Sequence, residues 1–479
     1  MLNPNKKKTP LLFELEEAET EEADEKRPEG LPEDLYREDP PRLPEVPEPE
    51  VVGHYHELAA ETFGTNDGPY LLGSCTMKYN PRLGEELASL PELVNTHPRQ
   101  SPDQWEGWLE ILGDLHDRLS ELVGLPVVSL LPAAGAQGEW VGLRSIGEYF
   151  ASRGEEREEV LVPDSAHGTN PASATMAGFR TVEVESTPDG RVDPEDLEKK
   201  TSRNTAALML TNPNTLGLFE SDIERISKII REVGGKLYYD GANLNPLVGR
   251  IRPGKMGFDV VHLNLHKTFG APHGMGGPGS GPVAFSKELA EFRPPPRLER
   301  QDGKWRFSAS SGETMGRIRS FYGNLTVMVK ALAYIRRMGG EGLARAGKDS
   351  VLAANYLAAN MPEDLQAPYP GPCKHEFVVS CADLPISAAD FSKRLIDLGI
   401  HPPTVYFPLV VEEALMIEPT ENLTLSQLDR VLEAFEQIAR EAEENPDSFA
   451  SYPENSRISR PDETQAAREP KLCHPLTGD

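Results

Sequence analysis

From residue 126 onward, short apolar runs alternate with stretches of helical periodicity, and this alternation limits the possible folds more than any other feature of the chain. Residues 126–131, 159–163, 204–211, 236–240 and 260–265 each read as a short apolar strand. Between them, Ile223, Ile226, Ile229, Ile230 and Val233 recur at helical steps and stop at Gly234-Gly235. A second helical run over 101–124 carries Trp105, Trp108, Leu112, Leu115, Leu119 and Leu122. Apolar strands joined by amphipathic helices predict an α/β fold, a mostly parallel sheet with helices on both faces. After Asn324 the pattern changes. A long helical stretch over 327–361, a strand over 375–380 and helices over 391–398 and 425–444 read as a smaller C-terminal α+β domain. The expected organisation is an acidic, proline-rich arm (1–54), a large α/β domain (55–324), a small α+β domain (325–445) and a polar tail (446–479).

Charge narrows the function. The chain has 49 Lys and Arg against 77 Asp and Glu, a net charge of −28. That balance argues against nucleic acid and anionic membranes as partners. Sixteen of the acids, with only four basic residues, fall between Glu14 and Glu50, which reads as a solvated, mostly extended arm. No run is long and apolar enough to span a bilayer, and no apolar segment follows the basic N-terminus, so a cytoplasmic location is expected. Four cysteines without CxxC or zinc spacing give no expectation of a metal site.

In open parallel sheets, ligands sit beyond the carboxyl ends of the strands. The chemistry-bearing residues here follow that rule. Lys267 ends the run Leu263-Asn264-Leu265-His266-Lys267, where a lysine is costly to desolvate unless it is neutralised or used covalently. One such use is a Schiff base with pyridoxal 5'-phosphate, for which the other strand ends supply partners. Gly135, Ala136 and Gln137 open a helix after a strand, a place suited to a phosphate dianion. Asp240, followed by Gly241 and Ala242, could pair a pyridine nitrogen. His167 could cover a ring face, Asn212 could donate to a ring hydroxyl, and Asn264 and His266 flank the lysine within reach of phosphate. Each segment taken alone is also compatible with an ordinary turn or cap. The glycine-rich run after Lys267 contains prolines and opens no helix, so it does not read as a dinucleotide loop.

Longer motifs carry a resemblance. Leu72 to Pro81, Pro163 to Ala174, Leu208 to Phe219, Tyr238 to Asn245, Gly257 to Phe269, Arg319 to Asn324 and His401 to Thr420 resemble subunit 2 of the two-subunit glycine dehydrogenase (decarboxylating), the P-protein of the glycine cleavage system. The resemblance covers roughly 55–421. It implies a fold type I pyridoxal-phosphate enzyme with Lys267 as the Schiff-base lysine. It further implies glycine as substrate, decarboxylation, and transfer of the aminomethyl group to the lipoyl arm of H-protein. The implied assembly pairs this chain with a homologous subunit 1, doubled to an α2β2 heterotetramer. Lys267, His167 and His266 are the expected catalytic residues, with His273 an alternative to His266 for moving protons. The chain departs from the family pattern at Gln137, where histidine is usual, at Met275, at Gly270 and over 421–425. An aminotransferase or a desulfurase of the same fold type, and a non-catalytic scaffold, are the other readings; retention of Lys267 and Asp240 argues against the last.

Overall fold

The structure, a computed structural model, describes residues 9–14, 30, 32–35, 46–274, 277, 279–309, 315–369, 371–456, 458 and 460–473. Seven strands form the principal sheet: β1 (Val127–Ser129), β2 (Glu159–Pro163), β3 (Arg180–Val184), β4 (Thr205–Thr211), β5 (Lys236–Gly241), β6 (Val260–Leu263) and β7 (Val283–Phe285). Their spatial order is β1-β7-β6-β5-β4-β2-β3. The pairs from β3 through β6 are parallel, and β7 runs antiparallel to both β6 and β1.

β2, β4, β5 and β6 are buried along their whole length. Successive side chains point to opposite faces, so a central strand must be apolar on both. Leu208, Leu210, Leu237 and Tyr239 join one core with Leu112, Leu115 and Leu119 of the helix Glu106–Val123. Ala207, Met209 and Tyr238 face the other, with Val141 and Ile146 of the helix Gly135–Ala151. That helix pair makes a three-layer sandwich with the sheet between. Gly124, at φ 74°, ends the first helix in the left-handed conformation that glycine adopts without penalty.

β8 (Arg297–Gln301) and β9 (Lys304–Ser308) form a hairpin. β10 (Phe377–Ser380), β11 (Thr404–Val405) and β12 (Ala414–Ile417) make a second, antiparallel sheet in the order β10-β12-β11. The helices Ala388–Asp397 and Leu425–Glu444 cover it through Phe391, Leu395, Leu428, Val431 and Phe435. The helix Leu325–Ala359 joins the two regions. It is interrupted at Gly339, φ 61°; Val327, Met328 and Leu332 before that point enter the large core, and Ala353, Ala354 and Leu357 after it enter the small one. The segment 69–73 also crosses over, bridging His401 through Tyr70 and Ile417 through Leu72.

Two expectations change. The helix Glu48–Ala60 begins inside the stretch read as an extended arm. Pro47 at its N-cap and Glu48 and Glu50 in its first turn suit a helix start, since the missing proline N–H costs nothing there and acids favour the positive end. Most of the remaining arm lies outside the described residues. The polar tail is anchored by Phe449, which is buried in the small core. Among the described residues, no helix is long and apolar enough to cross a membrane.

Candidate active site

The carboxyl ends of β2, β4, β5 and β6 and the start of the helix Gly135–Ala151 converge on one cavity of about 180 Å³. Gly135, Ala136, His167, Asp240, Ala242, Asn264, His266 and Lys267 all line it. The first helical bond after the turn runs from Gly138 N to Ala134 O, which leaves the preceding amides at the open, positive end of the helix. A larger groove of about 630 Å³, walled by Leu87, Ile111 and Leu332, lies on the outer surface and contains none of these groups.

Lys267 follows the turn after β6, with its backbone N–H bonded to Asn264 O. Its Nζ donates to the Ser74 carbonyl at 2.6 Å. Asp240, at the end of β5, is 2 % exposed. Its Oδ2 accepts from Asn170 Nδ2 at 2.9 Å, and its Oδ1 accepts from Ala242 N at 2.9 Å and lies 3.2 Å from His262 Nε2. Burial alone would push this carboxyl up. The charge of His262 and the two hydrogen bonds outweigh burial and hold it below the usual carboxylate value, so it is ionised at neutral pH.

His167 Nδ1 lies 2.8 Å from Thr169 Oγ1, which donates to Glu139 Oε1 at 2.9 Å. The imidazole ring also meets Phe407 edge-on at 5.5 Å. His266 Nδ1 accepts from Ser280 N at 3.3 Å, and its ring stands perpendicular to His273 at 5.0 Å. Burial, then the charges of His273 and Lys267, pull His266 down to about 3; burial and Lys267 pull His273 to about 4. Both rings are therefore neutral near pH 7 and act as hydrogen-bonding groups rather than as cations.

Two expected site residues do not line the cavity. Gln137 Oε1 accepts from Ala133 N at 2.7 Å and its Nε2 donates to Ile318 O at 3.3 Å, so the side chain braces the turn instead of facing the cavity. Asn212 is not among the residues lining the cavity, where Thr211 and Thr215 stand beside it; its Oδ1 accepts from Glu220 N at 3.0 Å, and its Nδ2 is buried without a partner among the described residues. Met275 lies outside the described residues.

Sequence reasoning missed several groups. His262 pairs with Asp240 in the β5–β6 register and touches Tyr238 Oη through Nδ1 at 3.0 Å. A polar residue at matching positions of two adjacent apolar strands was the available signal. Glu139, buried, holds Thr169 and Ser173. Ser74 receives the lysine's amine, while Glu376 holds Ser74 and Asn243 and Glu418 holds Thr76; they come from distant segments and gave no local signal. Arg394, the candidate on the small region for a substrate carboxylate, is bound instead to Glu441. All four cysteines are free thiols.

The arrangement is similar to known proteins at three levels. Residues 346–461 match the family described as "Glycine dehydrogenase, C-terminal domain", and residues 146–295 match "Aminotransferase class-V". The chain is 51% identical over 450 residues to "Probable glycine dehydrogenase (decarboxylating) subunit 2" of Shouchella clausii, covering 93% of this chain and 92% of the relative. The protein of the same description from Thermotoga petrophila is 51% identical over 446 residues, with 92% and 94% covered. Among solved structures, an inhibitor-bound glycine decarboxylase (P-protein) of the glycine cleavage system superimposes with a TM-score of 0.71 at 20% identity, covering 85% of this chain and 93% of that one. A NifS-like protein gives 0.61 at 16% identity, covering 78% and 99%. These two likenesses establish the fold, that of the fold type I enzymes.

Proposed function

This chain belongs to the glycine dehydrogenase (decarboxylating) subunit 2 family, and from that membership we propose that its cavity binds pyridoxal 5'-phosphate on Lys267 and decarboxylates glycine. The observation that carries the reading is that Lys267 and Asp240 face one cavity at adjacent strand ends.

The residues present fit the cofactor. A Cβ at Gly135 would lie 2.5 Å from the Asn264 amide, so the glycine keeps the turn open beside a buried amide whose oxygen has no partner among the described residues and which, turned over, presents its Nδ2 donor to the phosphate. Thr211 Oγ1 is likewise buried without a partner. The amides at the start of the helix Gly135–Ala151, with Asn264 and His266, would hold the phosphate. Asp240 would pair the ring nitrogen, His167 would cover a ring face, and the unpartnered Nδ2 of Asn212, with Thr211 beside it, would donate to the ring hydroxyl. Bound there, the group supplies an electron sink for the bond broken at the substrate α-carbon.

The chain's own residues do the rest. Lys267 holds the cofactor and must shed a proton from Nζ to do so; the Ser74 carbonyl keeps that amine in place. Asn170 and Ala242 fix the Asp240 carboxylate, and His262 favours its charge. His266, neutral and with its Nδ1 accepting from Ser280 N, carries its proton on Nε2 and can donate a hydrogen bond there. The aminomethyl acceptor is the lipoyl group of H-protein, and the partner is subunit 1 in a doubled pair, acting in the cytoplasm. The desulfurase reading is weaker. Burial pushes the Cys75 thiol up despite Lys267 beside it, and a protonated thiol is a poor nucleophile.

The test is chemical trapping. Borohydride treatment of the purified chain loaded with pyridoxal phosphate should fix the label on the peptide carrying Lys267, read by mass spectrometry, and Lys267→Ala should abolish it. A label on another lysine sinks the assignment.

A further inference from the structure

The lysine's anchor is a strained loop held from the other sheet. Ser74 and Thr76 both have positive φ, 64° and 45°. Neither is glycine, and such backbone persists only where its surroundings over-determine it. Two buried acids supply the constraint. Glu376, immediately before β10, accepts from Ser74 N through Oε2 at 3.0 Å and from Asn243 Nδ2 through Oε1 at 2.7 Å. Glu418, immediately after β12, accepts from Thr76 N through Oε2 at 2.9 Å. On the near side, Thr404 Oγ1 donates to Gly73 O at 2.8 Å, and a Cβ at Gly73 would collide with the Met416 carbonyl at 2.5 Å. The loop is thus fastened at three successive places to the small sheet, while its Ser74 carbonyl receives Lys267 Nζ from the large one.

We propose that Glu376 and Glu418 are positioning residues for Lys267: from the small sheet they lock the left-handed backbone at Ser74 and Thr76 and so aim the Ser74 carbonyl at the lysine's amine. The inference rests on the reading of Lys267 as the cofactor lysine. It makes the seating of the small sheet a determinant of where that amine sits. Burial first, then the charge of Glu418, raises Glu376 well above the usual carboxylate value, and burial raises Glu418 as well. Like charges this close do not both ionise readily, and a protonated carboxyl still offers an oxygen to each amide. Lys267, Lys78, Cys75, Cys373 and the buried His375 are the other titratable groups near the pair. His375 Nε2 lies 3.7 Å from Glu418 Oε1 and 3.9 Å from Glu376 Oε1, so a bound cation is the competing explanation of this cluster.

The experiment uses the full chain co-purified with its partner subunit. It compares Glu376→Ala and Glu418→Ala with Glu376→Gln and Glu418→Gln, because glutamine keeps an acceptor oxygen. Amide hydrogen exchange over 74–76 and the rate of borohydride-trappable pyridoxal-phosphate attachment at Lys267 are the readouts. The alanine variants should exchange about tenfold faster over 74–76, the loss of one buried acceptor, and attach the cofactor correspondingly more slowly; the glutamine variants should stay near wild type in both. Should the alanine variants not fold, Glu376→Asp, which withdraws the acceptor by one methylene, must show the same two losses. Wild-type behaviour in the alanine or aspartate variants overturns the proposal. So does a glutamine variant as impaired as alanine, or a stoichiometric metal in the purified protein. A wild-type chain that attaches nothing at Lys267 condemns instead the functional reading on which the inference rests.

Discussion

Asp240 and the two histidines His266 and His273 show opposite outcomes of burial around Lys267. The carboxyl has donors aimed at both oxygens and stays charged; the imidazoles face Lys267 and lose their charge. The histidines make stability depend on pH. Their folded values, about 3 and about 4, lie below the ~6.5 of an unfolded histidine. Between those limits the unfolded chain binds more protons than the folded one. The stability they contribute is complete above about pH 6.5 and is lost as pH falls towards 4. The melting temperature should therefore drop between about pH 7 and about pH 5, and His273→Gln should flatten part of that drop. Equal slopes for wild type and variant would refute the burial argument.

At the scale of elements, the turn into the helix Gly135–Ala151 has the tightest steric requirement in the cavity. Gly135→Ala should leave the fold intact, because the atom it meets is the end of the Asn264 side chain, yet it should displace that amide from the phosphate position. The expected result is pyridoxal-phosphate affinity weakened by about tenfold or more, roughly the value of one lost hydrogen bond to a charged group, measured by fluorescence titration. Unchanged affinity would place the phosphate elsewhere. The same elements show what a sequence can carry. β2, β4 and β5 were legible because burial on both faces leaves an unbroken apolar run. β3, at the sheet edge, mixes exposed and buried positions, and β7 is a three-residue strand behind a glycine-rich loop; neither has a period to read. Lys267, Asp240, Gly135 and His167 were legible because each follows a strand. Gln137 misled because position at a strand end does not fix where a side chain points: it turns back on Ala133. Glu376 and Glu418 lie 302 and 342 residues from the amides they hold, and only the folded chain brings them together.

Across the whole molecule, the helix Leu325–Ala359 and the segment 69–73 tie the small sheet to the large one, and the lysine's anchor lies where they meet. A family whose members are described as a subunit 2 implies a second chain. The central claim is glycine decarboxylation at Lys267. Its most direct test is exchange of labelled carbon dioxide into glycine by this chain co-purified with its subunit 1, with and without lipoylated H-protein. Exchange that needs the partner and H-protein and vanishes in Lys267→Ala is the predicted result. Exchange that survives Lys267→Ala, or a cofactor-loaded wild-type assembly that exchanges nothing, would contradict it.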